Sequence, residues 1–307
     1  MKKIFFIIFS FLSPILSAQE IQILSQKDKK AVAFANIVYL VNDSVVGGTY
    51  TNQDGKALLE LVGRVNFIAV SSVGYQTLKI AKNDIPKQVD LNENVTELGT
   101  VTLTTEKIIT HYLGNFIKNI RINTHIFWHF HAGSEKIMLI ENPFKEGKFI
   151  KSFSFFLENL DNVSPVFKVV FYKNVNGYPA QSYLYNSKDN IFILKKNQTK
   201  KNKLDIQNMN VTLPEEGIFV GLEYVGFMDN DNKNIITTND FFTSMEKKPT
   251  GISIVEIRQK SEKVPYVYRK LKFNEKTKDW IDYSQSNYPG LAPNEYYVPA
   301  FGIEVYE

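Results

Sequence analysis

Between residues 19 and 104 apolar and polar positions alternate in short runs separated by turn chemistry. Ala35-Asn36-Ile37-Val38-Tyr39-Leu40-Val41 reads as a strand, with Asn42-Asp43-Ser44 and Gly47-Gly48 as turns around it. Asn52-Gln53-Asp54-Gly55 is a further turn, after which Ala57, Leu59 and Leu61 alternate toward one side. Residues 67–70, 78–80, 89–91 and 101–103 complete six or seven strands at a spacing that suits a β-sandwich.

Residues 106–120 change period. Ile108, Ile109, Tyr112, Leu113, Phe116, Ile117 and Ile120 recur at helical spacing, opposite Lys107, Thr110, Asn115, Lys118 and Asn119. The pattern predicts one amphipathic helix over 105–122, linking two β regions and carrying His111.

From residue 123 the period of two returns and holds to the end. Phe153, Phe155 and Leu157 alternate with Ser152, Ser154 and Phe156, and Phe167, Val169 and Phe171 with Lys168 and Val170. Asn176-Gly177 is the strongest hairpin turn in the chain. Leu213-Pro214-Glu215-Glu216-Gly217 turns the chain into Ile218, Val220, Leu222 and Tyr224 on one face. The expectation is mainly β: a sandwich over 19–104, the linking helix, and a second β-sandwich or jelly-roll-like domain over 123–307.

Composition changes this picture only at its edges. The 23 Phe and 16 Tyr among 307 residues suit pleated surfaces. A net charge of +4, from 36 basic and 32 acidic residues, gives no reason to expect nucleic acid as a partner. The run Lys195, Lys196, Lys200, Lys201 and Lys203 reads as a solvated loop. Without cysteine there is no disulfide, thiolate metal site or lipid-anchored Cys. Lys2-Lys3, the apolar run 4–12, Pro14 and Leu16-Ser17-Ala18 predict a secretory leader over 1–18, cut before Gln19 and too short to span a membrane comfortably. No later stretch approaches the ~18 apolar residues a span needs.

The segments Ala35-Asn36-Ile37-Val38-Tyr39, Gly48-Thr49-Tyr50-Thr51-Asn52-Gln53-Asp54-Gly55, Val70-Ser71-Ser72-Val73-Gly74-Tyr75 and Leu98-Gly99-Thr100-Val101-Thr102-Leu103 resemble the carboxypeptidase regulatory-like domain. This is a transthyretin-like sandwich of exported Bacteroidetes proteins. The resemblance implies a non-catalytic accessory module. Lys29-Lys30-Ala31-Val32-Ala33-Phe34 stands where the family usually has Gly and Pro. The remainder is similar, through Phe167-Lys168-Val169-Val170-Phe171-Tyr172, Asn176-Gly177-Tyr178-Pro179 and the Pro214–Glu223 segment, to uncharacterised β-rich regions of the same group, with no activity implied.

Candidate chemistry is sparse. His125, His129 and His131 share parity on an extended strand, so three imidazoles face one way and suit Zn or Cu. The alternative is the polar face of an edge strand whose other face carries Ile126, Trp128 and Phe130. Glu135 and Glu141 would join a metal set only through the fold. Asp229-Asn230-Asp231-Asn232-Lys233-Asn234, with Asp240, has a faint calcium-loop spacing, but Lys233 takes a ligand place, and a polar hairpin loop fits better. Glu215, Glu216 and Glu223 are the acids a glycoside hydrolase would need, although Glu215 and Glu216 read as turn residues. Trp280, Tyr288, Tyr296 and Tyr297 offer rings for stacking on a sugar or peptide, or for strapping the sandwich. Asp43-Ser44-Val45 fits a short bacterial O-glycosylation pattern.

The function expected from these residues is an exported envelope module that presents β surfaces to a glycan or envelope protein, without cofactor or catalysis. It would reside in the periplasm, at the outer membrane or on the cell surface, with peripheral attachment and no nucleic-acid partner. The rival is a metal- or carboxylate-dependent hydrolase with its site in the C-terminal region.

Overall fold

A computed structural model describes residues 19–61, 64–72, 74–93, 109–115, 125–129, 132–159, 164–183, 190–196, 200–229, 231, 235–236, 252–261, 265–271, 279–283 and 291–307. The predicted leader, the strand at 101–103 and most of the segment linking the two β regions lie outside these residues.

The first seven strands are β1 (Gln19–Ser25), β2 (Asn36–Val41), β3 (Ser44–Tyr50), β4 (Lys56–Leu59), β5 (Phe67–Ser71), β6 (Leu78–Ala81) and β7 (Gln88–Leu91). They form a three-stranded sheet ordered β4-β1-β7 and a four-stranded sheet ordered β3-β2-β5-β6. Alternation places Ile21, Ile23, Leu59 and Val89 of one sheet against Ile37, Tyr39, Ile68 and Val70 of the other in one buried cluster. The predicted turn at Asp54-Gly55 is present. Asn52 Oδ1 accepts from the amides of Asp54 and Lys56, each at 3.0 Å, and Gly55 adopts φ +71°.

The remaining strands are β8 (Thr110–Gly114), β9 (His125–His129), β10 (Ser134–Ile140), β11 (Lys148–Asn159), β12 (Ser164–Val175), β13 (Tyr178–Tyr183), β14 (Ile191–Ile193) and β15 (Lys200–Asp205). They are followed by β16 (Thr212–Leu213), β17 (Ile218–Met228), β18 (Ile235–Ile236), β19 (Ile252–Lys260), β20 (Val267–Leu271), β21 (Ile281–Asp282), β22 (Glu295–Pro299) and β23 (Gly302–Tyr306). These make two eight-stranded sheets. The front sheet runs β13-β12-β17-β10-β20-β21, with β14 on β12 and β18 on β17; the back sheet runs β22-β19-β11-β23-β8, with β9, β15 and β16 attached. Phe153, Phe155 and Leu157 of β11 meet Phe167, Phe171, Val220 and Leu222 of the front sheet in the largest core.

The chain is mainly β, as its alternation predicts, but two elements differ. Residues 110–114 of the expected helix are strand β8, paired antiparallel with β23 from Gly302↔Gly114 to Tyr306↔Thr110. Gly114 adopts φ +100°, outside the helical range, so a helix cannot run through it. A pairing partner nearly two hundred residues away decides this segment, and no local period encodes it. Lys200, Lys201 and Lys203 likewise lie on β15 beside β11 instead of in a loop.

Strands β12 and β17 are buried on both faces, which explains their nearly unbroken apolar text. Their outer face is covered at one end by the N-terminal sandwich: Phe34 and Tyr50 pack with Val166, Val225 and Met228. Farther along, Ile137, Val170, Tyr172, Phe219, Tyr268 and Trp280 form a second outer cluster.

Candidate functional site

The outer face of the front sheet carries a row of charge. Register sets Lys168 opposite Glu223, Glu223 opposite Glu135, and Glu135 opposite Lys270, across β12, β17, β10 and β20. Antiparallel partners share a face, so the signs run plus, minus, minus, plus. Glu135 and Glu223 are both 0% exposed. The Tyr50 hydroxyl, from the N-terminal sandwich, donates to Glu223 Oε1 at 2.5 Å. The Tyr172 hydroxyl donates to Glu135 Oε2. Lys168 Nζ donates to the Phe34 carbonyl at 2.6 Å and lies 5.0 Å from the centre of the Tyr50 ring. Burial pushes the Tyr50 hydroxyl well above the usual phenol range, and the Glu223 and Glu135 carboxylates add to it. The phenol therefore stays protonated and serves as a fixed donor.

A second buried charge group lies between the sheets. Lys136 of β10 faces inward and pairs with Glu256 of β19, both side chains being about 2% exposed. Arg269, opposite Lys136 in register, sits 4.6 Å from the centre of the Tyr283 ring. Burial, with Arg269 beside it, pushes the Lys136 ammonium well below its ordinary range. Drying both charges offsets most of the attraction between them, so the pair adds little net stability, while removing either partner alone strands the other.

A groove of about 630 Å³ lies where β8 of the back sheet approaches β10 of the front sheet. Its polar lining includes Asn115, Glu141, Gln259 and Ser261, and Pro265 and Tyr266 form its rim. Tyr266 is 43% exposed and Tyr178 40% exposed. Both rings are set by the Asn176-Gly177 turn. Tyr266 lies over Gly177, whose φ is +84°, so closely that a Cβ there would fall 2.9 Å from Tyr266 Cζ. The Tyr268 hydroxyl donates to the Gly177 carbonyl at 3.0 Å, and the Tyr178 and Tyr268 rings meet edge-on at 5.3 Å.

The residues singled out in the sequence are dispersed. Trp280 is buried in the outer cluster, edge-on to Tyr172 at 4.9 Å, and its indole N–H donates to the Ala180 carbonyl at 3.4 Å. Tyr296 and Tyr297 are half-buried neighbours on β22, so they point to opposite faces of the back sheet, and Tyr296 packs on the main core. Trp280 and Tyr296 thus belong to different sheets. Tyr288 and His131 lie outside the described residues. His125 and His129 lie on β9, in register with Ile257 and Ser253, with side chains outside the description. Among the described residues no three His, Asp or Glu gather around a metal-sized space. His111 is on β8, with Nε2 3.7 Å from the Glu307 carboxylate. Glu215 and Glu216 are turn residues, closed by the Gly217 amide donating to the Pro214 carbonyl at 3.0 Å. β18 returns to pair with β17, as a hairpin after Asp229 requires.

Sequence reasoning reached Glu223 and, through the fold, Glu135, but not Tyr50, Lys168 or Tyr172 as their partners, nor Tyr266 and Tyr178 as a pair. Isolated ionisable residues inside the apolar runs of β10, β12 and β17 were the available sign. Their convergence depends on register.

No family model matches the chain, and no curated protein matches it. Among solved structures it is similar to the cysteine protease and lectin-like domains of Cwp84, a surface layer associated protein of Clostridium difficile. That likeness has a TM-score of 0.36 and 10% identity over 94% of this chain and 63% of that one, so this chain spans less than two thirds of its length. A clostridial Cwp84 cysteine protease after propeptide cleavage gives 0.35 and 11%, over 94% and 70%.

Proposed function

We propose that this chain is an exported, non-catalytic module of a bacterial cell envelope that presents its β-sandwich surfaces to a glycan or another envelope protein. One observation carries the reading. The acids that converge, Glu135 and Glu223, are each 0% exposed, each accepts a tyrosine O–H, and the N-terminal sandwich is packed beside them. Glycoside hydrolysis needs two carboxylates across a cleft that admits substrate and water. Here Glu223 is held by Tyr50 of the N-terminal sandwich and Glu135 by Tyr172 of its own sheet.

The three-plus-four arrangement of β1–β7 supports the resemblance to a carboxypeptidase regulatory-like module, which implies an accessory role. The charged and apolar order of residues 2–18 supports export. No helix among the described residues is long and apolar enough to cross a membrane.

The test is turnover. Purified full chain is offered chromogenic glycosides and casein, with and without added Zn, beside the Glu223→Gln variant. The expected result is no turnover that depends on Glu223, together with retention of an identified glycan or envelope protein. Hydrolysis that Glu223→Gln abolishes, or that stoichiometric Zn restores, would establish the hydrolase instead.

A further inference from the structure

We propose that the groove between β8 and β10 binds a neutral oligosaccharide, with Tyr266, Pro265 and Leu113 as its apolar wall and Gln259, Asn115 and Ser261 as its polar wall. This rests on the reading of the chain as a binding module and gives that module a site and a ligand class.

The apolar wall comes first. Tyr266 is 43% exposed on the groove, and Tyr178, outside the lining but on the same Gly177 turn, is 40% exposed. Exposed rings that neighbouring groups hold still are preorganised for a ligand, because little freedom is lost when it arrives. The Gly177 turn, the Tyr268 hydroxyl bond to it and the Tyr178–Tyr268 edge contact supply that rigidity. A tyrosine face accepts the C–H face of a sugar ring, while its hydroxyl remains wet.

The polar wall is short of partners. Gln259 Oε1 is buried and has no hydrogen-bond partner among the described residues. A buried acceptor left unmade is costly, and a ligand hydroxyl satisfies it. Asn115 Nδ2 donates to Met138 Sδ at 3.0 Å, a weak acceptor that a hydroxyl replaces with advantage. The described lining contains Glu141 and no Lys or Arg, which disfavours carboxylated or sulfated ligands. The floor strand β10 is hydrogen-bonded to β17 on one side and β20 on the other, and the Leu139 amide is taken by the Tyr266 carbonyl at 3.0 Å. An extended peptide therefore finds no open ladder on that floor, and recognition falls to side chains. The volume of about 630 Å³ lies within the range of small-ligand sites.

The experiment is calorimetric titration of the full chain with hexasaccharides of β-1,4-glucose, -xylose, -mannose and -N-acetylglucosamine, and with hexagalacturonate as the acidic comparator. At least one neutral sugar should bind, and hexagalacturonate more weakly. Tyr266→Ala should weaken binding about tenfold or more, and Gln259→Leu several-fold, with unfolding midpoints showing that both variants fold. Tyr112→Ala, an exposed ring outside the groove lining, should leave binding unchanged. Sugar binding that survives both groove substitutions would overturn this site while leaving the binding-module reading intact. Equal affinity for hexagalacturonate, or an envelope protein captured through Tyr266 with no sugar bound, would overturn the ligand class. Cleaved sugar in the cell would overturn the underlying reading itself.

Discussion

Glu223 shows what a single register position does to chemistry. One place toward β10 lies another carboxylate, and one place toward β12 lies Lys168. Neither acid meets water, so each needs donors from protein. Tyr50→Phe removes one donor without removing the carboxylate. It should lower unfolding stability by about 1–3 kcal/mol, read from urea denaturation. Lys168→Met takes the cation from beside two adjacent anions, and a loss of about 3–5 kcal/mol is expected by the same measurement. A loss no larger than that of Tyr112→Phe would show that the row is not a unit. The composition of the row was visible in the sequence, as a Lys and a Glu interrupting apolar runs. Its order was not, because cross-strand partners here are tens of residues apart. Glu304 makes a pH-dependent counterpart. Lys203, then the Thr110 and Ser152 hydroxyls, hydrogen-bond its carboxylate and lower its pKa from 4.5 to about 2. A depressed folded pKa contributes stability that is present above 4.5 and lost as pH falls toward 2. Glu304→Gln should therefore cost ~1 kcal/mol or less at neutral pH, since Lys203 is solvent-screened, and nothing once both forms are protonated. Urea midpoints measured at neutral pH and again near the folded pKa test this.

Elements were legible where alternation of side chains or turn chemistry is local. Strands β2, β5, β11 and β17 follow directly from alternation, and the turns at Gly55, Gly177 and Gly217 from residue type. β8 was not legible. Ile109, Tyr112 and Leu113 satisfy a helical stripe, but His111 and Leu113 satisfy a strand equally well, and five residues cannot separate the two periods. The C-terminal strand β23 chooses between them. Close strand packing also escapes a pattern of apolar and polar positions. Gly221 of β17 lies opposite Ile137 of β10, and a Cβ built on it would run into the Lys136 carbonyl and stand 2.7 Å from Ile137 Cα. Backbone cannot yield as a side chain can, so Gly221→Ala must spread β17 from β10 in the middle of the front sheet. The expected cost is about 1–3 kcal/mol or more, with loss of amide-exchange protection on both strands. Wild-type stability in this variant would mean that the two strands already stand farther apart.

For the molecule as a whole, the decisive contact is the one between the two sandwiches, and sequence periodicity says nothing about it. Residues 19–91 and 110–306 each form their own sheets and cores, which favours independent folding units. The seam argues the other way. If the N-terminal sandwich unfolds alone, Phe34 and Tyr50 leave Val166, Val225 and Met228, Glu223 loses its phenol donor, and Lys168 loses the Phe34 carbonyl. The surviving sandwich would then expose apolar surface and part of a charged row built for a dry setting, so the first unfolding step penalises the second unit. Calorimetry of the full chain should accordingly give one cooperative transition, with calorimetric and van't Hoff enthalpies in agreement. In the Tyr50→Phe, Lys168→Met double variant the seam lacks the Tyr50 donor to Glu223 and the Lys168 cation on the Phe34 carbonyl. The transition should split, the N-terminal component melting first while the C-terminal one retains the core of Phe153, Phe155 and Leu222. Two separate transitions in the unsubstituted chain, insensitive to these two residues, would mean that the buried row merely coincides with the junction and does not hold it.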